Sequence, residues 1–250
     1  MQFQVQHILR FIQRFGVLSG IKLFLLFKLG RIGALKLPGI HHKIQLRPST
    51  SDTATFYQVF LRDDYGLNYV QSPKVIIDGG ANIGLFSIKM KSRFPEALII
   101  CVEPDSANFA VLKGNLSEYK GVCFENCGLW NNDTKLNVFD KYNIGKWGMV
   151  VEEDLINGSI NALSINTIIA NYNLERIDIL KLDIETSEKH LFSSNYESWM
   201  PKVKMIVIEL HDGMEPGCSK VFFNAINKVY TNYKYAQKGE NVVITNLDLV

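Results

Sequence analysis

The stretch VIIDGGANIG, Val75–Gly84, decides the fold. An apolar run leads into a turn with three glycines, and the helical pattern of Leu85–Phe94 follows until Pro95 ends it. A strand, a Gly-rich turn and a helix in this order form the first unit of an α/β domain. The spacing Gly-Gly-x-x-x-Gly differs from the dinucleotide-binding pattern Gly-x-Gly-x-x-Gly, and the turn lacks the Gly-Lys-Ser/Thr of a P-loop.

Apolar runs and helical patterns alternate after this unit. Strands are predicted at Val75–Asp78, Ala97–Glu103, Val122–Asn126, Leu136–Asp140, Ile177–Asp183 and Val203–Leu210. Helices are predicted at Ser106–Leu116, Ser164–Tyr172, Ser187–Phe192 and Cys218–Tyr230, with a loop near Gly145–Gly148. Two final segments around Lys238-Gly239-Glu240 predict a hairpin that adds an antiparallel strand at one end of the sheet. The chain is therefore predicted to be an α/β protein with a mostly parallel sheet and helices on both faces.

In such sheets, ligands bind beyond the carboxyl ends of the strands. Asp78, at the tip of the first strand, can accept hydrogen bonds from an ammonium group, such as that of S-adenosylmethionine (SAM). Glycines in the following turn let the backbone approach a ligand closely. The turn residues predicted to bind a cofactor are Gly79, Gly80, Asn82 and Gly84.

The second and third strand ends predict a nucleoside site. Glu103 ends the second strand, and the two oxygens of its carboxylate match the vicinal diol of a ribose. Pro104 stops the strand, and Asp105 can cap the next helix. By position alone, Asn126 and Cys127 would hold an adenine edge. Because NAD uses the same acid, Glu103 indicates a nucleoside without identifying it.

The fourth and fifth strand ends carry the candidates for proton transfer. Asp183 and Glu185 follow one strand and His211 follows the other, so one of these three side chains could remove a proton from a substrate hydroxyl. A divalent cation between Asp183 and Asp212 is an alternative that the residue types allow, but no metal ligand is expected.

The sequence predicts two parts, a basic helical extension at residues 1–45 and a folded domain at residues 46–250. Residues 1–51 contain eight of the 27 cations and none of the 25 acids, so this part carries +8 and the remainder −6. Apolar residues recur at helical spacing over Val5–Phe15, and the apolar run Phe15–Phe27 is too short and too interrupted to span a membrane. We expect a helix packed on the main domain or lying on an anionic membrane or glycolipid.

The four cysteines do not form a metal or disulfide pattern. The sequence contains no Cys-x-x-Cys, and no cysteine lies at metal-ligand spacing from a histidine. We therefore expect the cysteines to be reduced, which is typical of a cytoplasmic protein. A cytoplasmic protein in peripheral contact with a membrane is the alternative.

Several segments carry a resemblance when they are taken in order. They are LRPSTSD (Leu46–Asp52) with Phe56–Tyr65, VIIDGGANIGLFS, CVEPDSANFAVLKGNL, IDILKLDIETSE and VIELH. Together they resemble the FkbM-type SAM-dependent methyltransferases over roughly Leu46–Leu210. The resemblance implies a Rossmann-like class I methyltransferase fold, whose seven-stranded sheet has an antiparallel last strand. It also implies O-methylation of a hydroxyl, often on a sugar, in glycan or secondary-metabolite pathways.

The resemblance gives the same site residues a role. Asp78, Gly80, Asn82 and Gly84 become the SAM loop and Glu103 the ribose acid, whereas Asp183, Glu185 and Glu188 fall on the family pattern Lys-x-Asp-x-Glu-Gly-x-Glu. Thr186 stands where the family usually has glycine, and a β-branched residue disfavours the positive φ that glycine allows. Trp130 replaces a usually smaller residue and is expected to narrow the pocket.

Two other function classes stay open at this point. An NAD(P)-dependent enzyme on the same scaffold is disfavoured, because Gly-x-Gly-x-x-Gly and a Tyr-x-x-x-Lys pair are missing. A degenerate methyltransferase module at a membrane surface is the non-enzymatic alternative. The expected partner is a small-molecule or glycan hydroxyl acceptor rather than a nucleic acid, because the basic segment lacks interleaved exposed aromatic residues.

Overall fold

The computed structural model describes residues 2–67, 70–140 and 149–249. The predicted loop at Gly145–Gly148 lies outside these residues. Among them, no helix combines the length and apolarity that crossing a membrane requires.

A seven-stranded sheet forms the centre of the molecule. Its strands are β3 (Val75–Gly79), β4 (Leu98–Val102), β5 (Val122–Glu125), β10 (Ile179–Leu182), β11 (Met205–Glu209), β12 (Tyr233–Lys238) and β13 (Asn241–Asn246). The spatial order is β12-β13-β11-β10-β3-β4-β5, and β13 runs antiparallel to both of its neighbours. This topology confirms the predicted mostly parallel sheet with an antiparallel last strand, which is the Rossmann-like class I methyltransferase fold.

The position of the antiparallel strand differs from the prediction. β13 does not lie at the end of the sheet but between β11 and β12. Val243 and Ile244 are successive residues that face opposite sides of the sheet, and both are buried. A strand with two buried faces gains more from an interior position than from the edge.

Helices cover both faces of the sheet, as predicted. They are α4 (Leu85–Arg93), α5 (Ser106–Leu116), α6 (Ile165–Asn171), α7 (Glu188–Leu191) and α8 (Cys218–Val229). Ile76 of β3 belongs to the core cluster that includes α4 and α5, and the adjacent Ile77 belongs to the cluster that includes α6 and α8. The near-continuous apolar strands are therefore buried on both sides.

The structure contains a second sheet of four strands, of which the sequence predicted only one. It contains β6 (Gly128–Trp130), β7 (Thr134–Asp140), β8 (Met149–Glu153) and β9 (Ile160–Ser164) in the order β6-β9-β7-β8. Only β7 was predicted. The other strands are three to five residues long and contain few contiguous apolar residues, so their pairing is set by neighbours that are distant in sequence.

Residues 2–45, called the N-terminal segment below, form a helical hairpin and a short two-stranded ribbon. Helices α1 (Gln2–Phe15) and α2 (Val17–Lys28) precede strands β1 (Ala34–Leu35) and β2 (Ile44–Gln45). A Cβ on Gly20 would lie 2.6 Å from the backbone of Ile12, so this glycine permits the close crossing of α1 and α2. Phe11 is fully buried in the same core cluster as Ile76, so the segment packs on the main domain.

A helix links this hairpin to the first strand of the sheet. Helix α3 (Asp52–Phe56) continues without a break into a π-helical stretch at Tyr57–Arg62. Phe27 of α2 packs against both Phe56 and Tyr57, with ring centroids 4.6 and 5.7 Å apart. Residues on either side of position 45 therefore share one aromatic cluster.

Candidate active site at the carboxyl edge of the sheet

The Gly-rich loop (residues 78–84) joins β3 to α4 and lies directly against the turn after β10. Gly80 has a φ of 69°, and a Cβ at this position would be 1.7 Å from the carbonyl oxygen of Asp183. The backbone N–H groups of Gly80 and Ala81 both donate to the Val102 carbonyl at 3.0 Å. Only glycine fits here, because the loop is held between the ends of β4 and β10.

Asp78 lies beneath the loop instead of at its surface. Its carboxylate is fully buried, accepts a hydrogen bond from Ser87 Oγ at 2.6 Å, and lies 3.2 Å from Lys181 Nζ. The parallel register pairs Asp78 with Lys181 on the neighbouring strand. This placement differs from the prediction of a direct bond to the ammonium group of a ligand, because both partners of Asp78 are inside the protein.

Lys181 connects this ion pair to the loop backbone. Its ammonium donates to the carbonyls of Gly79 and Gly80, at 3.2 and 2.7 Å. Burial alone would lower the pKa of Lys181, but the charge of Asp78 raises it well above its usual range. A charged pair at this depth stabilises the loop only while both members are present, since removing either leaves an unpaired buried charge.

Glu103 lies directly after β4, as the sequence predicted, and its carboxylate also contacts the Gly-rich loop. Oε2 accepts the backbone N–H of Asn82 at 2.7 Å, and Oε1 accepts that of Asp105 at 2.9 Å. Asn82 has a φ of 51°, which turns its N–H toward the carboxylate. Burial raises the pKa of Glu103 to about 7, against the effect of these hydrogen bonds.

An arginine near Glu103 was not predicted as part of the site. Arg47 forms a two-pronged ion pair with the buried Asp52, at 3.1 and 2.8 Å, and also donates to Asn108 Oδ1 at 2.7 Å. Asn108 Nδ2 lies 3.5 Å from Glu103 Oε1. The positive charge of Arg47 near Glu103 depends on a contact 61 residues away in sequence, which no local pattern reveals.

The end of β5 contributes one exposed and one buried side chain. Asn126 is exposed, and its Nδ2 donates to the carbonyls of Glu103 and Pro104 at 2.8 and 3.2 Å. Asn126 therefore ties the ends of β4 and β5 together beside the predicted nucleoside site. Cys127 is buried, and burial raises the pKa of its thiol to about 12.

The structure also brings the predicted catalytic residues together. His211 Nε2 lies 4.0 Å from Asp183 Oδ1, 3.8 Å from Glu185 Oε2 and 3.7 Å from Glu209 Oε1. Its Nδ1 is hydrogen-bonded to Glu188 Oε1 at 2.9 Å. We call these five residues the mouth cluster; Glu188 and Glu209 join the three residues that were predicted as catalytic.

Charges within the mouth cluster change its proton affinities. Burial opposes protonation of His211, but the hydrogen bond and charge of Glu188, with the nearby carboxylates, raise its pKa to about 9. Burial, together with the charge of Asp183, raises the pKa of Glu209 to about 7 and also raises that of Glu185. With a pKa of about 9, the imidazole of His211 carries a proton near neutral pH, and the pKa values of Glu209 and Glu185 are raised toward neutrality.

The turn after β10 keeps a left-handed backbone although it has no glycine. Glu185 has a φ of 45° and Thr186 a φ of 73°. Thr186 occupies the position where the family pattern has glycine. Its backbone nevertheless has the positive φ that glycine adopts most easily. Glu188 follows as the first residue of α7, fully buried, and accepts the Ile184 N–H at 3.2 Å.

Three members of the mouth cluster could bind a divalent cation. One ligand atom each from Asp183, Glu209 and His211 lie within 4.8 Å of one another. Asp212, the alternative partner of Asp183 from the sequence, instead caps α8 by accepting hydrogen bonds from Gly217 and Ser219. Each oxygen of Asp212 accepts a backbone N–H at the start of that helix, and among the described residues Asp212 is not part of the group that could share an ion with Asp183.

Trp130 packs within the protein at the second sheet. It is almost fully buried, and its ring stacks on His190 at a centroid distance of 4.2 Å. The tryptophan thus joins β6 to α7. A cavity of about 280 Å³ lies at the opposite edge of the main sheet, near Val70, Asp178 and Lys204, and its lining includes none of the predicted site residues.

The chain is similar to several known proteins. The chain is 26% identical over 188 residues to methyltransferase sdnD of Sordaria araneosa, covering 62% of this chain and 73% of that protein. It is 25% identical over 179 residues to methyltransferase 1 of Beauveria bassiana, covering 62% and 72%. A precorrin-6y C5,15-methyltransferase from Geobacter metallireducens aligns with a TM-score of 0.40 at 12% identity, over 73% of this chain and 83% of that one.

The family follows from a longer match. The methyltransferase FkbM domain matches residues 78–236, which include the Gly-rich loop, Glu103 and the whole mouth cluster. This span is more than half of the chain and ends within β12. The chain belongs to the FkbM methyltransferase family.

Proposed function

We propose that the protein transfers the methyl group of SAM to a hydroxyl of a small molecule or a glycan. The methyltransferase fold implies SAM as the donor. The contact of Gly80 with Asp183 carries the proposal, because it joins the Gly-rich loop to the mouth cluster at one edge of the sheet. A nucleoside site and a set of proton-transfer groups are thus adjacent.

The residues around the loop fit the nucleoside part of SAM. Each oxygen of Glu103 accepts one backbone N–H, which leaves acceptor capacity for the two hydroxyls of a ribose. Among the described residues, the buried Oδ1 of Asn82 has no hydrogen-bond partner, so the loop offers a further acceptor. SAM supplies a methyl group on a sulfonium, a good leaving group, so the protein contributes mainly alignment and exclusion of water.

A carboxylate of the mouth cluster is the best acceptor for the hydroxyl proton. The raised pKa of His211, about 9, keeps the free imidazole protonated near neutral pH and unable to accept a proton. Asp183 and Glu185 lie beside it, and the raised pKa of Glu185 makes this carboxylate a stronger base. Of the three predicted candidates, we therefore assign proton removal to Asp183 or Glu185, with His211 as a positive charge beside the developing alkoxide.

We also keep the prediction of a reducing, cytoplasmic location. All four cysteines are free, and Cys101, Cys127 and Cys218 are buried. Such thiols are typical of proteins that fold where disulfides do not persist.

Calorimetry with S-adenosylhomocysteine tests the nucleoside site. Glu103→Gln replaces the carboxylate that would accept hydrogen bonds from the ribose hydroxyls. We expect the dissociation constant of S-adenosylhomocysteine to rise at least about tenfold. Glu175→Gln, at an exposed position between α6 and β10, is the matched control. Equal affinities of the wild type and Glu103→Gln would remove the ribose assignment.

A labelled methyl group tests the acceptor atom. The protein is incubated with SAM that carries a ¹³C-methyl group and with pools of glycans and small hydroxylated metabolites, and the carbon chemical shift of the product is measured. A shift typical of a methoxy group supports the proposal, whereas methyl on nitrogen or carbon contradicts it. Tight binding of S-adenosylhomocysteine without transfer to any pool would favour the degenerate module, for which the strained Thr186 is the structural argument.

A further inference from the structure

The outer face of α2 carries an apolar stripe that the protein does not cover. Leu18, Leu25 and Leu29 are 87%, 47% and 64% exposed, and Lys22 lies between them. We call these four residues the α2 stripe; their spacing of four, three and four places them on one side of the helix. Single exposed leucines are ordinary, but a row on one helix face marks a contact surface.

The helical hairpin that carries the stripe also exposes several cations. Arg10 and Arg14 of α1 are exposed, as are Lys28 and Arg31 at the end of α2. No acid occurs among the first 51 residues. A partner of this surface must therefore accept leucine side chains and also carry negative charge.

A groove beside the stripe also combines apolar side chains with cations. A cavity of about 680 Å³ lies between α2 and residues 34–43. Its walls include Leu23, Leu26 and Leu37, and its cations are Lys22, Lys36 and Lys43. Lys36 donates to the carbonyl of His41, whereas Lys22 and Lys43 are exposed.

We propose that the α2 stripe and this groove bind the surface of a membrane that contains anionic phospholipid. The stripe inserts its leucines among the acyl chains near the headgroups, while Lys22 and the other lysines of the groove contact the phosphates. Helix α2 has 12 residues and lies in the plane of the interface, consistent with the finding that no described helix can span a bilayer. This inference does not depend on the proposed methyl acceptor.

Two other occupants fit the surface less well. A second copy of the same face would bring together two groups of cations from segments that contain no acid, and these like charges would repel each other. A nucleic acid would neutralise the lysines but would leave the exposed leucines in water, and the stripe contains no aromatic residue on which bases could stack. An anionic lipid surface satisfies both the charge and the apolar side chains.

Vesicle flotation with the full-length protein tests the proposal. One set of vesicles consists of phosphatidylcholine, and the other contains phosphatidylcholine with one-third phosphatidylserine. We expect the wild type to bind the anionic vesicles only. The affinity for these vesicles should fall about tenfold in Leu18→Ser. In Lys22→Gln/Lys43→Gln it should fall roughly fivefold for each lysine that is replaced. Because these side chains are exposed, the melting temperature should stay constant.

Matched control variants distinguish binding through this surface from non-specific binding to vesicles. Ile156→Ser removes an apolar side chain with the same 87% exposure as Leu18. Lys202→Gln/Lys220→Gln makes the same charge change near α8, on the opposite face of the main sheet. Both controls should bind anionic vesicles as the wild type does.

Several results would overturn the proposal. They are equal binding to both vesicle sets, no binding to either, or an equal loss in Ile156→Ser. Release of the protein by millimolar inorganic phosphate at constant ionic strength would indicate a soluble anion site. Binding to single-stranded RNA without vesicle binding would indicate a nucleic-acid surface.

Discussion

Gly80 shows how a single hydrogen atom in place of a side chain allows the site to form. The Cβ of any other residue would overlap the Asp183 carbonyl, and φ is positive as well. We expect Gly80→Ala to lower the free energy of unfolding by about 3 kcal/mol or more, measured by urea denaturation. Gly114→Ala is the control: it lies in α5 with nothing within 4 Å of a Cβ, and should stabilise by about 0.5–1 kcal/mol. Equal stability of the two variants would contradict the close contact.

His211 predicts how stability depends on pH. Its folded pKa of about 9 lies above the ordinary value of 6.5, so its contribution is complete below pH 6.5 and disappears as the pH rises through 9. Between pH 7 and 9 we expect the free energy of unfolding of the wild type to fall by about 2–3 kcal/mol. Glu103, with a pKa of about 7, contributes mainly to changes at lower pH.

The variant His211→Gln isolates this effect. It should show a much flatter stability curve between pH 7 and 9, whereas His41→Gln, at an exposed position, should follow the wild type. Urea denaturation at four pH values in this range is sufficient. Parallel curves for the wild type and His211→Gln would show that the carboxylates do not hold a proton on His211.

At the scale of elements, the start of α5 connects helix stability to the nucleoside site. Asp105 caps this helix, with Oδ1 accepting the Asn108 N–H at 2.7 Å. We expect Asp105→Ala to lower the free energy of unfolding by about 1 kcal/mol, and Asp105→Ser to recover most of it. Since Asn108 contacts both Arg47 and Glu103, the alanine variant should also bind S-adenosylhomocysteine more weakly. If the serine variant is as unstable as alanine, the cap is not the cause.

The β-strands show which elements can be predicted from local sequence. Strands β3, β4, β5, β10 and β11 of the main sheet are apolar runs that end at or just before a glycine or an acidic residue, so they were predicted with boundaries close to the observed ones. The strands β6, β8 and β9 are short and less apolar, and they form only because β7 and β9 pair with each other and with their neighbours. Their pairing is an interaction between segments, so no local pattern carries it.

At the scale of the whole molecule, the N-terminal segment is part of the core. Phe11 is fully buried against Phe15, Phe24, Phe27 and Tyr57. We expect Phe11→Ala to lower the free energy of unfolding by about 3–5 kcal/mol in a single cooperative transition. Leu18→Ala on the same hairpin should change it by less than about 0.5 kcal/mol, because Leu18 is exposed. Two separate transitions, or a small effect of Phe11→Ala, would mean that residues 1–45 fold independently.

The sequence by itself determined the order of the main-sheet strands and of the helices between them, the Gly-rich turn, and the acidic or histidine residues at the ends of β3, β4, β10 and β11. These features are local, because a strand's apolar run and the residue that ends it are contiguous. It therefore predicted Glu103, Asp183, Glu185 and His211 at one edge of the sheet, although it could not fix their distances.

Only the tertiary structure decided which of these charges are paired. It buried Asp78 against Lys181, placed Arg47 near Glu103, and completed the mouth cluster with Glu188 and Glu209. Burial and the distances between charges determine a pKa, and both depend on segments that are far apart in sequence. For this reason the sequence left His211 as one of three candidate bases, whereas in the folded chain the surrounding carboxylates raise its pKa to about 9 and favour the cation.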